Sequence, residues 1–337
     1  MGMPFAGTTG TRKRVALVLC AYNGLKWVAS QIESLLGQSA CPSEVVLSDD
    51  ASTDGTWTVL EDLAKRLRAR GTVVALHRNS GNVGYVAHFA DALVRATGDL
   101  IFLCDQDDIW YPDKLAVMAG YFEEDPALVM LHSDARLVDA TGSDMGCTLF
   151  EALQLVPAEI ERIHVGRAFE VLVRRSCVTG ATMAIRRELL QWALPVGAGW
   201  IHDEWLAVIA AAVGKVDVIE RPLIDYRQHG GNQIGMRRRT WRDKWQDLRR
   251  ARGAQFRAEV ARLHVLDERL QLLGARVAPS KCELLAERTA HLERRIALGS
   301  SPHLRRLPGI WREWRRGAYR RYGTGWRSAL RDFLRRD

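Results

Sequence analysis

A chain of 337 residues with 47% hydrophobic and 26% charged residues can bury a substantial core and is too apolar to be disordered or fibrous. Its net charge of +8 is unevenly placed: residues 237–337 carry 27 Lys+Arg against 11 Asp+Glu, a net of +16, which leaves −8 on residues 1–236. The two portions are expected to meet different partners, with a break near MRRRTWRDKW. The six cysteines form no C-x-x-C pair, so neither a zinc site nor a disulfide framework is indicated. The longest apolar stretch, WLAVIAAAVG at 205–214, is shorter than the roughly 20 residues that cross a bilayer. No secretory pattern opens the chain, and a cytoplasmic location is expected.

In chain order, RVALVLCAY (14–22) reads as a strand and LKWVASQIESLLGQ (25–38) as an amphipathic helix. EVVLSDD (44–50), TWTVLEDLAKRLRARG (56–71) and TVVALHRN (72–79) read as strand, helix and strand. YVAHFADALVRATGD (85–99) gives a helix and LIFLCD (100–105) a fourth strand. This alternation predicts an α/β fold, a doubly wound, mostly parallel sheet whose ligand crevice lies beyond the carboxyl ends of the strands.

The polar signatures fall at those ends: Tyr22-Asn23 after strand one, Asp49-Asp50 and Asp54 after strand two, Asp105, Asp107 and Asp108 after strand four. Clustered carboxylates repel one another unless a cation or a hydrogen-bond donor neutralises them, and a hard Mg²⁺ or Mn²⁺ suits them. Such an ion bridges the oxygens of a diphosphate and stabilises charge on a leaving phosphate. Neither a Walker loop nor G-x-G-x-x-G is present, which removes support for ATP cradling and dinucleotide binding. STDGT (52–56) resembles an aspartyl phosphatase loop only weakly, because Ser52 holds the place of the nucleophile. Asp49, Asp50 and Asp54 also suit plain turn and N-cap roles, and Asp108 suits a helix start before Pro112.

VALVLCAYNG, VVLSDDASTDGT, NVGYVAHFADALVRATGDLIFLCDQDDIWYPDKL, TGATMAIRREL, HDEWLA and YRQHGGN, in that order, resemble the successive motifs of inverting family 2 glycosyltransferases with the GT-A fold. The nearest branch is the bacterial rhamnosyltransferase-like one that builds cell-surface polysaccharides such as O-antigen. The resemblance covers about 14–235 and implies a GT-A catalytic domain over 14–236, preceded by a flexible stretch at 1–13. It implies a nucleotide-diphosphate sugar donor, a dTDP- or UDP-sugar, a saccharide or lipid-linked acceptor, and Mn²⁺ or Mg²⁺. Tyr22, Asn23, Asp49, Asp50 and Asp54 would serve the nucleotide, Asp105 the ribose or metal, and Asp107 the metal. His229 would meet metal or diphosphate, and Arg227 and Lys114 the diphosphate, although Lys114 also reads as a solvated helix residue. Gly180, Ala181, Trp110 and His202 would line the sugar and acceptor pocket, Trp110 by packing beneath it.

Inversion in one displacement needs a general base and no protein nucleophile. GWIHDEWLAVIAAAVG (199–214) supplies it at the start of an apolar helix: the family motif aligns Asp203 with the catalytic carboxylate, and Glu204 is a rival. Asp203 also suits an N-cap.

The region 237–337 reads as a basic, helical extension. Residues 240–273 space Trp241, Trp245, Leu248, Phe256, Val260, Leu263, Leu266, Leu270 and Leu273 near helical intervals, and a capping box at Ser280–Glu283 opens a second helix that stops near Gly299. The last stretch interleaves Trp311, Trp314, Tyr319, Tyr322, Trp326, Leu330 and Phe333 with arginines, the pattern of a helix lying on an anionic membrane surface. A peripheral position on the inner face of the membrane is expected through 301–337. The same aromatics also suit packing or a homo-oligomer interface. No nucleic acid is expected, since no such motif appears. The competing classes are a catalytically silent sugar-nucleotide scaffold and a polyanion binder.

Overall fold

The structure, a computed structural model, describes residues 13–230 and 252–335. Strand β1 (Val15–Ala21) sends Ala16, Val18 and Cys20 into one apolar cluster and Leu17, Leu19 and Ala21 into another across the sheet. Burial on both faces explains its unbroken apolar run. Helix α1 (Leu25–Leu36), β2 (Glu44–Asp49), α2 (Thr56–Ala69), β3 (Val73–Arg78), α3 (Tyr85–Arg95) and β4 (Leu100–Cys104) follow. The order β3-β2-β1-β4 is parallel throughout, as the βαβ alternation requires.

Next come β5 (Ile109–Trp110), α4 (Lys114–Glu124), β6 (Leu128–Val138), β7 (Asp144–Thr148), α5 (Leu149–Ala152), α6 (Pro157–His164) and α7 (Ala168–Leu172). Then follow β8 (Met183–Arg186), α8 (Leu190–Ala193), α9 (His202–Val213) and β9 (Lys215–Arg227). They extend the sheet as β4-β8-β6-β9-β5, with β7 on β6. This half is mixed: β8 runs antiparallel to β4 and β6, and β9 antiparallel to β5. Reversal of β8 brings residues 179–182 to the carboxyl end of β4, and reversal of β9 brings Arg227 to the loop after it. The acidic motif thus acquires neighbours from distant sequence.

Beyond the sheet lie α10 (Gly253–Leu273), α11 (Pro279–Gly299), α12 (His303–Arg315), α13 (Ala318–Tyr322) and α14 (Trp326–Leu334). Phe256, Leu263, Leu266 and Leu270 of α10, with Leu285 and Leu292 of α11, join the same apolar cluster as α9. Trp241, Trp245 and Leu248 lie outside the described residues. The expected capping box at Ser280 is not formed; Pro279 occupies the first turn behind Ala278, where a missing N–H loses no intrahelical bond. The final aromatic stretch is three short helices rather than one. Gly317 (φ 71°) and Gly325 (φ 64°) break it, in a backbone region that side-chain-bearing residues avoid.

These helices are pinned by charge. Asp332 accepts hydrogen bonds from Arg295 Nε (2.7 Å), Arg295 Nη2 (3.0 Å) and the Tyr319 hydroxyl (2.8 Å), all buried. His291 Nδ1 lies 2.6 Å from Glu313. Tyr319 is therefore core, whereas Trp311 and Trp326 are each 61% exposed. Among the described residues no helix is long and apolar enough to cross a membrane.

Candidate active site

The loops after β1 and β2 interlock. Asn23 (φ 46°) and Ala51 (φ 62°) adopt the left-handed region, strain that the surrounding bonds must hold. Asn23 N–H donates to Ser52 Oγ (2.9 Å), and Asn23 Oδ1 accepts from Thr53 N–H (2.9 Å). Asp54 accepts from Leu25 N–H (3.0 Å) and from the backbone and hydroxyl of Thr56, so it joins the starts of α1 and α2 and does not line the cavity. Its expected nucleotide role gives way to this clamp. Asp49 is likewise sealed beneath, paired with Arg78 (3.1 Å) and accepting from Ser52 N–H (3.0 Å). Asp50 does line the cavity, held by Asn79 Nδ2 and the N–H groups of Val83 and Gly84.

The motif after β4 is a carboxylate cluster in low dielectric. Burial, then the charges of Asp107 and Asp203, push the Asp105 carboxyl up. Burial, then Asp107 and Asp105, push Asp108 up as well. Asp108 is no cap: its Oδ1 accepts from Arg227 N–H (3.0 Å), while its buried Oδ2 has no partner. Lys114 is fully buried, its Nζ donating to the carbonyl of Ala181 (2.5 Å) and lying 3.8 Å from the Trp110 ring centroid. Burial pushes its ammonium down, with the facing carboxylates opposing. Neither a diphosphate contact nor a solvated position fits Lys114, which packs beneath the motif against the Trp110 ring and the Ala181 carbonyl. Trp110 and Ala181 are buried with it and do not line the cavity. Arg227, expected at the diphosphate, is 4% exposed, donates from Nε to the carbonyl of Asp107 (2.8 Å), and stacks over Trp27 at 4.8 Å. It shapes the loop from behind. His229 Nε2 lies 2.8 Å from Asp107 Oδ2, its ring stacked on Trp27 at 5.1 Å.

The opposite wall comes from α9. Asp203 sits in the first turn after the N-cap Ile201; its Oδ2 accepts from Gly180 N–H (3.0 Å) and its Oδ1 from Glu204 N–H (2.7 Å). Burial pushes its carboxyl up to about 6 against those bonds. His202 stacks on Phe89 (4.2 Å, 11°), and burial, with His88, lowers it to about 3, so the ring is neutral. Glu204 is paired with Arg262 of α10.

One cavity of about 710 Å³ joins Tyr22, Asn23, Asp50, Asp105, Asp107 and His229 to Gly180, His202, Asp203 and Glu204. Sequence reasoning missed Trp27, Gln106 and the α3 face of Tyr85, His88 and Phe89, all lining it. The i, i+3, i+4 spacing of the α3 residues was the available signal. Gln106 pairs with the Tyr22 backbone, accepting from its N–H (2.8 Å) and donating to its carbonyl (3.0 Å).

Three or more metal-ligating side chains do not converge among the described residues. Mg²⁺ and Mn²⁺ do not require such a cage, since they take one or two protein ligands and complete their shell with water and phosphate oxygens. The adjoining Asp107 and His229, with the repelling Asp105 and Asp108 and its orphaned oxygen behind them, fit that mode.

Residues 16–191 match the model of Glycosyl transferase family 2. An uncharacterized glycosyltransferase of Nostoc sp. is 27% identical over 229 residues, 65% of this chain; the chain spans 66% of that relative's length. Among solved structures, Staphylococcus aureus TarS 1-349 in complex with UDP-GlcNAc superposes with TM-score 0.54 at 15% identity, covering 95% of this chain and 90% of that one. A mannosyltransferase from Pyrobaculum calidifontis in complex with GDP-Man and Mn²⁺ gives TM-score 0.50 at 20% identity, covering 95% and 78%. Both likenesses concern the fold. By the family model, which spans more than half of its residues, the chain belongs to glycosyltransferase family 2.

Proposed function

We propose that the protein is a metal-dependent, inverting glycosyltransferase that moves a hexose, with rhamnose the first to test, from a dTDP- or UDP-sugar to a saccharide or lipid-linked saccharide in bacterial surface-polysaccharide synthesis. The observation that carries this reading is one cavity with Asp105, Asp107 and His229 on one wall and Asp203 on the other. Bound Mg²⁺ or Mn²⁺ supplies positive charge to the diphosphate as it leaves. Asp203 takes the proton of the acceptor hydroxyl, whose oxygen bonds to the anomeric carbon as the bond to the diphosphate breaks. Burial pushes the Glu204 carboxyl up as well, with Arg262 opposing, but its carboxylate is already engaged by the Arg262 guanidinium and is less available to take a proton. Asp50 and the loop that Asn23 fixes to Ser52 and Thr53 face the nucleotide, and Gly180 and His202 the sugar and acceptor.

The test is a thermal-shift panel of sugar nucleotides with Mn²⁺, on the native chain and Asp107→Ala. A ligand at ~100 times its Kd adds about 2.7 kcal/mol of stability. The native chain should gain a Mn²⁺-dependent shift and hydrolyse or transfer that sugar, and Asp107→Ala should lose both. A shift without turnover favours a silent scaffold, and an unchanged shift in Asp107→Ala removes the metal assignment.

A second element of the reading is docking on an anionic membrane. Leu304, Leu307, Trp311 and Trp314 form one exposed stripe on α12, and Trp326 and Leu330 another on α14. Exposed Arg305, Arg312, Arg315, Arg316 and Arg327 accompany them, the chemistry that anionic headgroups complement.

A further inference from the structure

A second cavity, about 440 Å³, lies where α10 and α11 meet the catalytic fold. It shares Ser176 and Glu204 with the main cavity and none of the Asp105 to Asp107 wall. On the transferase reading it adjoins the side from which an acceptor would reach Asp203.

Its lining is crowded with cations: Arg174 and Arg175 after α7, Arg262 on α10 and Arg288 on α11. Their carboxylate partners are Glu159, 3.6 Å from Arg174 and 3.3 Å from Arg175, Glu204 with Arg262, and Glu259 with Arg288. Four guanidiniums thus share three carboxylates. The Nε atoms of Arg174, Arg175, Arg262 and Arg288, and Nη1 of Arg288, are buried with no hydrogen-bond partner. Arg288 is only 4% exposed, and burial with the charges of Arg174 and Arg295 pushes it down to about 9. A guanidinium keeps its proton when buried, so four guanidiniums on three carboxylates leave one positive charge over at this site. Planar donors in this number match a carboxylate or phosphoryl group.

We propose that this cavity is an acceptor subsite for an oxyanion, either the carboxylate of a uronic acid unit or a phosphoryl group of the acceptor. It rests on the transferase reading and adds that the acceptor is anionic. Arg174 and Arg288 hold the anion, and the paired Arg262 and Glu204 stand between it and the reacting hydroxyl.

The experiment is calorimetric titration of the full chain in EDTA, which silences metal-dependent nucleotide binding, with methyl glucuronide, methyl glucoside and inorganic phosphate. The glucuronide, the phosphate or both should bind, and the glucoside at least about tenfold more weakly. Glucuronide alone identifies a uronic acid acceptor, and phosphate alone a phosphoryl one. Arg288→Gln and Arg174→Gln should each weaken the anion about tenfold or more while the Mn²⁺-dependent nucleotide shift stays intact. If Arg288→Gln fails to fold, Arg174→Gln decides. Binding of neither anion, equal binding of the glucoside, or undiminished binding in the folded variants overturns the subsite. Mn²⁺-dependent turnover of a sugar nucleotide by the native chain, lost in Asp107→Ala, then tells separately that the transferase reading stands.

Discussion

Asp203 accepts a 3.0 Å hydrogen bond from the N–H of Gly180, tying the first turn of α9 to the turn that leads into β8. Asn in place of Asp keeps an oxygen for that bond but cannot take a proton. Its amide nitrogen then faces the Glu204 N–H that Oδ1 accepted, so Asp203→Asn should stay folded with a loss of about 1 kcal/mol and keep its nucleotide affinity while transfer falls by at least about 10². Near-normal turnover would shift the base to Glu204.

The pH profile follows from the same carboxyl, which burial raises to about 6. Its surroundings are His202 and Glu204 on its own helix and Asp105 across the cavity. A base works only when ionised, so kcat/KM should rise as pH climbs through about 6 and level off above it. Stability runs the opposite way. The folded pKa lies above the unfolded one, so this group's contribution is complete at low pH and is lost as pH rises through about 6. A profile without that limb, or one unaltered in Asp203→Asn, would exclude Asp203 as the titrating base.

Gln106 holds the backbone of Tyr22 in the loop proposed to face the nucleotide. Because Tyr22 is 44% exposed, water can replace the amide bonds, and Gln106→Ala should change stability by about 1 kcal/mol or less. Nucleotide affinity should fall severalfold as the loop after β1 loosens. A Cβ on Gly24 would lie 2.0 Å from Gln106 Oε1, so Gly24→Ala should give the same weakening. Melting curves beside nucleotide titrations measure both; a large loss of stability with unchanged affinity would refute the assignment.

Truncation is a poor probe of the proposed membrane docking, since it would strip Arg295 of Asp332. Trp311→Ser with Trp326→Ser is the cleaner change. The native chain should bind vesicles containing anionic lipid with a blue shift in tryptophan fluorescence and release them as salt rises. Each Arg near the surface adds about 1 kcal/mol only within a Debye length of about 8 Å. The double variant should bind far less and melt normally. Salt-insensitive binding would reject anionic lipid, and concentration-dependent self-association without vesicle binding would point to a homo-oligomer.

The parallel half of the sheet was legible because strands buried on both faces write continuous apolar runs between amphipathic helices. The mixed half was not, since the antiparallel insertion of β8 between β4 and β6 is settled by pairing across distant sequence. The same limit divides the site. Asp105, Asp107, Asp203 and His229 stood out as motif residues at element ends. Asp54, Lys114 and Arg227 were misplaced because a motif names a residue without giving its direction. A lysine opening an amphipathic helix is ordinarily solvated, and only tertiary packing turns Lys114 under the carboxylates.

The Arg262 and Glu204 pair joins a helix beyond residue 252 to the first turn of α9. The loops proposed to face the nucleotide all precede residue 230, whereas six of the fourteen residues lining the second cavity follow it. On the proposed reading, donor choice lies wholly in the earlier stretch of the gene, while acceptor choice is divided between Arg174 within it and Arg288 beyond it. Recombination that exchanges the later stretch between relatives should redirect the glycan being extended without altering the activated sugar consumed, and a chimera that changes its donor instead would contradict this division.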